Sequence, residues 1–345
     1  LSDKDASNQL DLNGLAVFSG ETFANVSLLP SEVLINRETW KVQEQVRFGF
    51  DQGKMTVDSF QLSRNNQALT VNGTISNNPD DHLILGFSRF DLTTFNPITV
   101  PLGINLTGEL NGDVNVAAIG KAPHFDGNLT ISALTYNKVA IGDLTLEAGF
   151  DNSTRLVDLA INIKNQGQET LDINGTYNAN IDQQNLDLDV TMNDNELIIF
   201  QPFLKSLVSN MTGKVSADLK ITGKPTNPRI DGSLSLSDAG VTVNYLKTHY
   251  LISDEVQVNN TIIELKDVVL RDDRNHTAVA NGTVDLQNPR IPTIRITVRA
   301  RNFQALNTTA KDTPLYYGVA YGTGTFRFVG PTNNMRINID AKTEE

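Results

Sequence analysis

The chain has 345 residues, no cysteine, and a formal net charge of −12 from 28 Lys and Arg against 40 Asp and Glu. The lack of cysteine excludes disulfides, thiolate metal ligands and a cysteine nucleophile, and the acidic balance argues against charge-driven binding of nucleic acid or anionic membrane surfaces. No stretch of 18 apolar residues and no signal-peptide pattern is visible, and the chain starts at Leu1 without an initiator Met, so we expect a piece of a longer protein.

Apolar and polar residues alternate along almost the whole chain. Examples lie at residues 125–131, 157–163, 186–192 and 294–300, each followed by Asn, Asp, Gly or Pro before the next such segment. A period of two between turn residues is typical of strands with one apolar and one polar face. About 20 such segments predict an all-β fold of antiparallel strands.

Three copies of Asn-Gly-Thr begin at Asn72, Asn174 and Asn281. Asn-Gly is a signal for a hairpin turn, but a two-residue turn at these positions would pair an apolar residue with a threonine each time. If each strand instead runs straight through the motif, the alternation continues and the glycine falls on the apolar face. The phase of the flanking residues therefore predicts three unbroken strands.

Further glycines lie in phase with apolar neighbours in the same way. A glycine inside a strand usually marks a bend or a close approach of two backbones. We predict that these glycines bend the sheet: Gly73, Gly108, Gly127, Gly175, Gly213, Gly232, Gly282 and Gly324.

One segment departs from the strand pattern. From Asp194 to Met211, apolar residues recur at helical spacing, with Asn193 or Asp194 as a possible cap and Pro202 limiting the first half. The pattern predicts one short amphipathic helix. It could close off the end of an apolar groove, or it could present a surface to a membrane or a partner.

The chain also repeats itself at intervals of about 105 residues. The segment TGEL at Thr107 recurs as TGKV at Thr212 and TGTF at Thr323, and the surroundings of Trp40 resemble those of Tyr250. We therefore predict one elongated module over residues 1–345, with repeats at about 1–106, 107–211, 212–322 and a partial copy at 323–345. Repeats of this kind stack, and each unit buries its apolar face against its neighbours.

These patterns together predict an elongated, repetitive antiparallel sheet curled into an open, taco-like trough with an apolar interior. Periodicity does not distinguish an open trough from a closed sandwich or barrel whose walls fill each other. We predict that the following residues line the apolar interior: Leu69, Val71, Ile75, Leu129, Ile131, Leu159, Ile161, Leu171, Ile173, Leu186, Leu188, Val190, Leu219, Ile221, Leu234, Leu236, Val284, Ile294, Ile296, Val298, Phe326, Phe328, Ile337 and Ile339.

No catalytic or metal-binding constellation stands out. The four histidines are scattered, and no zinc-protease, nucleophile-elbow or phosphate-loop motif is present. Asp187 and Asp189 alternate as residues of a solvated strand face do, and Asp272-Asp273 is typical of a hairpin turn. We predict neither enzyme activity nor a cofactor or metal.

The C-terminal half resembles a known family. Three segments follow one another in this half: first TGKVSADLKITGKPTNPRIDG, then RDDRN before ANGTVDL, and finally Phe303, Leu306 and the Tyr-Gly run from Tyr316 to Gly324. This order is similar to that of the C-terminal region of the TamB translocation and assembly module family. The match covers about residues 205–345 well and the earlier repeats more loosely. The abundance of Asn and Asp is similar to that of Bacteroidetes-type members.

The resemblance implies a location and a role. TamB-like proteins belong with the AsmA-like, bridge-type lipid transfer proteins, are anchored in the inner membrane by an N-terminal helix absent here, and cross the periplasm as an apolar β-taco. They work with an Omp85-type outer-membrane protein such as TamA. The implied ligand is a phospholipid or another acyl-chain lipid, and no nucleic acid is implied.

Three functions remain open at this point. The first is a conduit for phospholipid between the inner and outer membranes. The second is a chaperone that helps outer-membrane β-barrel proteins to assemble by β-augmentation, in which an edge strand pairs with a strand of the client. The third is an extracellular repeat adhesin, which the single tryptophan, Trp40, makes less suited to stacking on glycans.

Overall fold

The structure, a computed structural model, describes residues 8–18, 23–42, 44–119, 123–151, 154–179, 184–205, 207–288, 291–312 and 317–344. The chain divides into two compact units, Leu1–Asn185 and Leu186–Glu345. In both units the described strands pair antiparallel and are joined mostly by short turns, so the predicted all-β fold is confirmed. The repeat boundaries proposed from the sequence stay a prediction.

The first unit is a branched antiparallel sheet. Its strands are β1 (Gln9–Asp11), β2 (Gly14–Phe18), β3 (Phe23–Leu28), β4 (Ser31–Ile35), β5 (Glu38–Val42), β6 (Val46–Asp51), β7 (Lys54–Arg64), β8 (Gln67–Ile75), β9 (His82–Asp91), β10 (Leu106–Ala117), β11 (His124–Tyr136), β12 (Val139–Asp151), β13 (Leu156–Asn165) and β14 (Gln168–Tyr177). From β7 to β14 each strand pairs with the next. At β7 the sheet forks, because the start of β7 pairs with β6 and its end pairs with β5.

The second unit is a simple meander. Its strands are β15 (Leu186–Glu196), β16 (Val208–Lys224), β17 (Asn227–Val243), β18 (Thr248–Asn259), β19 (Ile262–Arg271), β20 (Thr277–Asp285), β21 (Thr293–Thr308), β22 (Gly318–Pro331) and β23 (Arg336–Glu344). Each strand pairs antiparallel with the next along the chain.

The three Asn-Gly-Thr motifs lie inside strands β8, β14 and β20, so the prediction of unbroken strands is confirmed. All eight glycines on the predicted apolar face have positive φ, which side-chain-bearing residues rarely adopt in a strand. A Cβ on Gly73 would lie 2.1 Å from the carbonyl oxygen of His82, and one on Gly282 would lie 1.9 Å from that of Arg295. Glycine therefore allows a neighbouring strand to approach where any other residue would collide with its backbone. Bending of the sheet by these glycines stays a prediction.

Bulges on the strands provide a second source of bending. At seven bulges in the described residues, one residue has a left-handed backbone conformation, and its backbone N–H does not take part in the hydrogen bonding between strands. In each case a side-chain oxygen on the next strand accepts that N–H, at 2.7–3.4 Å. The bulged residues and their acceptors are Ser59 and Asn72, Arg89 and Asn111, Ala133 and Asp143, Asp194 and Ser216, Asp238 and Ser253, Asp267 and Asn281, and Asn302 and Thr323.

The predicted helix over residues 194–211 is wrong in its extent. Asp194 belongs to β15, a 3₁₀ turn covers Leu197–Phe200, helix α2 covers only Gln201–Leu204, and β16 begins at Val208. Pro202 lies at the start of α2, so it begins the helical turn instead of limiting it. Leu197, Met211 and Val215 are nevertheless buried together, because a short turn followed by a strand places these apolar residues on one side.

A similar helical turn in the first unit was not predicted. It comprises Leu92–Phe95, helix α1 (Asn96–Thr99) and Val100–Leu102. Both turns follow an acidic residue and have the order Leu-x-x-Phe-(Asn or Gln)-Pro, 105 residues apart at Leu92 and Leu197. The helical turns therefore share a sequence pattern at the same interval as the predicted repeat.

Buried apolar residues form three clusters. The largest lies in the first unit around Trp40, Val46 and Phe90, and two lie in the second unit, around Tyr250 and Val268 and around Leu197 and Met211. Each cluster draws residues from several strands of its own unit, so each sheet curls enough to pack part of its apolar face against itself.

Replacing Gly73 with Ala should lower the free energy of unfolding by at least about 2 kcal/mol, because the new Cβ collides with the His82 carbonyl and the φ of +116° is strained. Urea unfolding measures the change. Gly149→Ala, in the same unit, is the control, since nothing lies within 4 Å of its added Cβ. Equal stability of the two variants would contradict the close-approach role of Gly73.

A second prediction separates two asparagines that each precede a glycine in the first unit. Asn111 and Asn174 both donate to a carboxylate two residues earlier, but only Asn111 also accepts the bulge N–H of Arg89, at 2.7 Å. Asn111→Ala should therefore cost about 1 kcal/mol of unfolding free energy and Asn174→Ala close to none. Equal losses would show that accepting the bulge N–H contributes nothing to stability.

Candidate functional site

The predicted apolar residues of neighbouring strands lie in register. In the second unit Leu188 is opposite Ile221, which is opposite Ile230, and Val190 is opposite Leu219. Because directly opposed residues of an antiparallel pair point to the same face, these rows form a continuous apolar surface across β15, β16 and β17. The first unit has similar rows, in which Leu159 and Ile161 of β13 oppose Gly175 and Ile173 of β14.

Most of this surface is incompletely covered. Of the predicted interior residues, Val190, Ile294, Val298 and Phe326 are buried, Ile339 is 64% exposed, and all the others are half-buried. A filled protein core is close-packed and leaves few side chains in this intermediate state. Most of the predicted residues therefore keep part of their side chains exposed in this structure.

The structure places part of the predicted set in packed clusters. Leu69, Val71, Ile75, Leu129 and Ile131 pack on the cluster around Trp40. Leu234, Leu236, Ile296, Val298, Phe326 and Phe328 belong to or pack on the two clusters of the second unit. The predicted residues outside the three clusters are Leu159, Ile161, Leu171, Ile173, Leu186, Leu188, Val190, Leu219, Ile221, Val284, Ile294, Ile337 and Ile339.

An aromatic contact in each unit was not predicted. In the first unit, the ring of Trp40 on β5 lies 5.3 Å from that of Phe90 on β9, although β7 and β8 separate these strands. In the second unit, Tyr250 on β18 stacks on Phe303 of β21 at 4.8 Å, across β19 and β20. The likeness of the sequence around Trp40 to that around Tyr250 was the available signal for this correspondence.

Hydrogen bonds reinforce the contact in the second unit. The Tyr250 hydroxyl donates to the carbonyl oxygen of Gln304 at 2.8 Å, and the backbone N–H of Gln304 donates to Asp272 Oδ2 at 3.0 Å. Asp272 is 1% exposed and also accepts the backbone N–H groups of Arg274 and His276, each at 2.9 Å. We call Tyr250, Asp272, Phe303 and Gln304 the aromatic clasp.

The electrostatics of the clasp follow from its burial. Burial, more than the nearby Asp272 carboxylate, raises the pKa of Tyr250 to about 12, so the hydroxyl keeps its proton and its hydrogen bond at neutral pH. The turn at Asp272-Asp273 is confirmed, but Asp272 is buried inside the clasp and is not a solvated turn residue. Its carboxylate joins the turn between β19 and β20 to the end of β21.

The opposite face of the strands carries charge. Lys220 on β16 lies 2.5 Å from Asp187 and 3.0 Å from Asp189 of β15, and these hydrogen bonds raise the pKa of Lys220. Both aspartates are well exposed, as expected for a solvated strand face. A depression of about 400 Å³ over β15, β16 and β17 is lined by polar residues and also by residues of the predicted apolar face: Asp189, Thr191, Asp218, Lys220 and Asp231, with Val190, Leu219 and Gly232.

Within the described ranges, no three His, Asp or Glu side chains lie close enough together to hold a metal ion. No helix among the same residues has the length and apolarity needed to cross a bilayer.

Two family models match most of the chain. The family model described as TamB, N-terminal domain, matches residues 28–236, and the one described as TamB C-terminal domain matches residues 266–345. No curated protein and no solved structure gives a match. The resemblance noted from about residue 205 is thus extended toward the N-terminus. The chain belongs to the TamB family of translocation and assembly modules.

Proposed function

We propose that this chain conducts phospholipid along an apolar groove, as a segment of a TamB-like protein that connects the inner and outer membranes. The single observation that carries the proposal is the apolar surface in each unit that lies outside the packed clusters and, apart from the buried Val190 and Ile294, keeps part of its side chains exposed. Large apolar surfaces that a protein leaves uncovered usually mark a ligand groove or a contact site.

An acyl chain is a suitable ligand for such a surface. Each CH₂ group that leaves water for an apolar environment gains about 0.8 kcal/mol. The row formed by Leu188, Ile221 and Ile230 offers similar contacts from strand to strand. A chain could therefore move from one strand to the next without crossing a large barrier, while its polar headgroup stays in water.

The partners and location in the proposal follow from family membership. The protein would act in the periplasm and would work with an Omp85-type outer-membrane protein related to TamA. The ligand would be a phospholipid or another acyl-chain lipid, and the result would be lipid supply for outer-membrane biogenesis.

A charge placed on the apolar face should stop lipid transfer. Purified, delipidated protein should take up phospholipid from vesicles, as seen by native mass spectrometry, and should speed transfer of a fluorescent phospholipid between vesicles. Leu188→Arg or Ile221→Arg should abolish the acceleration, because a guanidinium in the path must lose its water whenever an acyl chain passes.

Thr191→Arg is the matched control, because it adds the same charge to the same strand as Leu188 but on the exposed polar face. This variant should transfer lipid as the parent does, and circular dichroism should show the same strand content in all three variants. The proposal is untenable if delipidated parent protein never takes up phospholipid, or if the charge slows transfer equally on either face.

A second candidate function is supported by one edge of the sheet. In the described part of the chain, β23 pairs only with β22, and Ile339 on this strand is 64% exposed. An edge strand with an open row of backbone groups can accept a further strand. Photocrosslinks from β23 to nascent outer-membrane barrel proteins, in protein that holds no lipid, would favour the assembly chaperone over the conduit.

A further inference from the structure

We infer that the polar face of strands β21, β22 and β23 binds an anionic phospholipid surface through a cluster of exposed arginines. These three strands carry five arginines and one lysine against two acidic residues. Strands β10–β14 of the first unit, in contrast, carry one lysine and nine acidic residues. The inference goes beyond the proposed function, because it concerns the polar face of the sheet and not the apolar groove.

The strand pairing brings four of these arginines together around Arg327 of β22. On β21, Arg295 and Arg299 lie two residues to either side of the residue opposite Arg327. On β23, Arg336 lies two residues from the residue opposite Arg327. Side chains in this diagonal relation share a face, with about 7–8 Å between them. All four are exposed, and we call them the arginine patch.

The arginine patch has no ionic partner in the described part of the chain. Strands β21 and β22 contain no acidic residue. Asp340 of β23 is a diagonal neighbour of Arg327, and Asp285 of β20 is one of Arg295, but neither carboxylate forms an ion pair with an arginine of the patch. Like charges held close together on a sheet are unfavourable, so a bound anion would stabilise this face.

The lysine on the polar face of β15 and β16 is arranged differently. Lys220 lies between Asp187 and Asp189 and forms an ion pair with each of them. Its charge is therefore neutralised within the sheet, whereas the charges of the arginine patch remain available to a partner.

The chemistry of the arginine patch fits phosphate groups that lie in one plane. A guanidinium donates two parallel N–H bonds to a phosphate, and this geometry makes arginine the preferred residue for phosphate recognition. A lipid surface presents many phosphates side by side, as a patch spread over three strands requires. Val329, which is 43% exposed, lies opposite both Arg295 and Arg336. An apolar side chain between cations suits the boundary of headgroups and acyl chains, which favours a lipid surface over an acidic protein.

The net charge of −12 does not oppose this local contact. At physiological salt, charges on a protein surface are screened over about 8 Å. The arginine patch is therefore affected mainly by its own neighbours, which are largely uncharged on β21 and β22. Because acidic residues predominate elsewhere, an anionic surface would be approached by this face first.

Vesicle flotation of the whole purified chain tests the inference. The probes are vesicles of phosphatidylcholine alone and vesicles of phosphatidylcholine mixed equally with phosphatidylglycerol. At low salt we expect the parent protein to bind the anionic vesicles several-fold more than the neutral ones. Rising salt should release it, because the attraction is between exposed charges.

Reversing two charges of the arginine patch should remove this preference. Arg295→Glu combined with Arg327→Glu should lower binding to anionic vesicles at least about tenfold, because two attractive charges become repulsive. Lys138→Glu combined with Lys164→Glu is the matched control, since it changes the net charge equally at two exposed lysines of the first unit. The control should bind as the parent does, and circular dichroism should show the same strand content in all three proteins.

The possible results separate this inference from the proposed function. Equal binding to both kinds of vesicle, or an equal loss in the two double variants, would overturn the arginine patch as a lipid-binding surface. Absence of binding to anionic vesicles at low salt would also overturn it and would leave an acidic protein as the partner to test. Uptake of phospholipid from neutral vesicles should be unchanged in the arginine variant. A parent protein that binds anionic vesicles but never takes up lipid would contradict the conduit and leave the arginine patch standing.

Discussion

The structure depends on one constraint: the strands must bend sharply while the backbone N–H groups released at the bulges keep an acceptor. A bulge bends a strand but removes one N–H from the ladder, and an N–H left without a partner forfeits a hydrogen bond. The chain resolves this with a side-chain oxygen on the next strand, as Asn111 does for Arg89 and Asn281 for Asp267. Glycines such as Gly282 serve a second need, since they let the backbones of adjacent strands approach closely.

These two devices explain much of the composition. Asn, Asp, Ser and Thr on the polar face accept the N–H groups of the bulges, and glycines on the apolar face replace side chains that would collide. Asn281-Gly282 combines both, since the asparagine accepts the N–H of Asp267 and the next residue is the close-approach glycine. A sheet built in this way curls without needing a filled core, so apolar surface can remain available for a ligand.

The sequence alone was enough to predict the strands, their antiparallel pairing and the phase of the Asn-Gly-Thr motifs, because a period of two with one polar face leaves few alternatives. It was misleading between Asp194 and Met211, where residues spaced by three and four fit either one helix or a helical turn followed by a strand. It could not reveal the aromatic clasp, because the contact of Tyr250 with Phe303 depends on how far β21 turns over at Asn302. Periodicity also does not predict whether the interior residues line a lipid groove, because the burial of each side chain depends on how the folded sheet packs.

The central claim is that the apolar walls are open to a ligand and are not filled by protein side chains. An experimental structure of the protein purified together with phospholipid tests this most directly. The account predicts elongated, non-protein density along the row formed by Leu188, Ile221 and Ile230, with the strands in the register described above. Side chains of this chain packed into that space, with no room for an acyl chain, would contradict it.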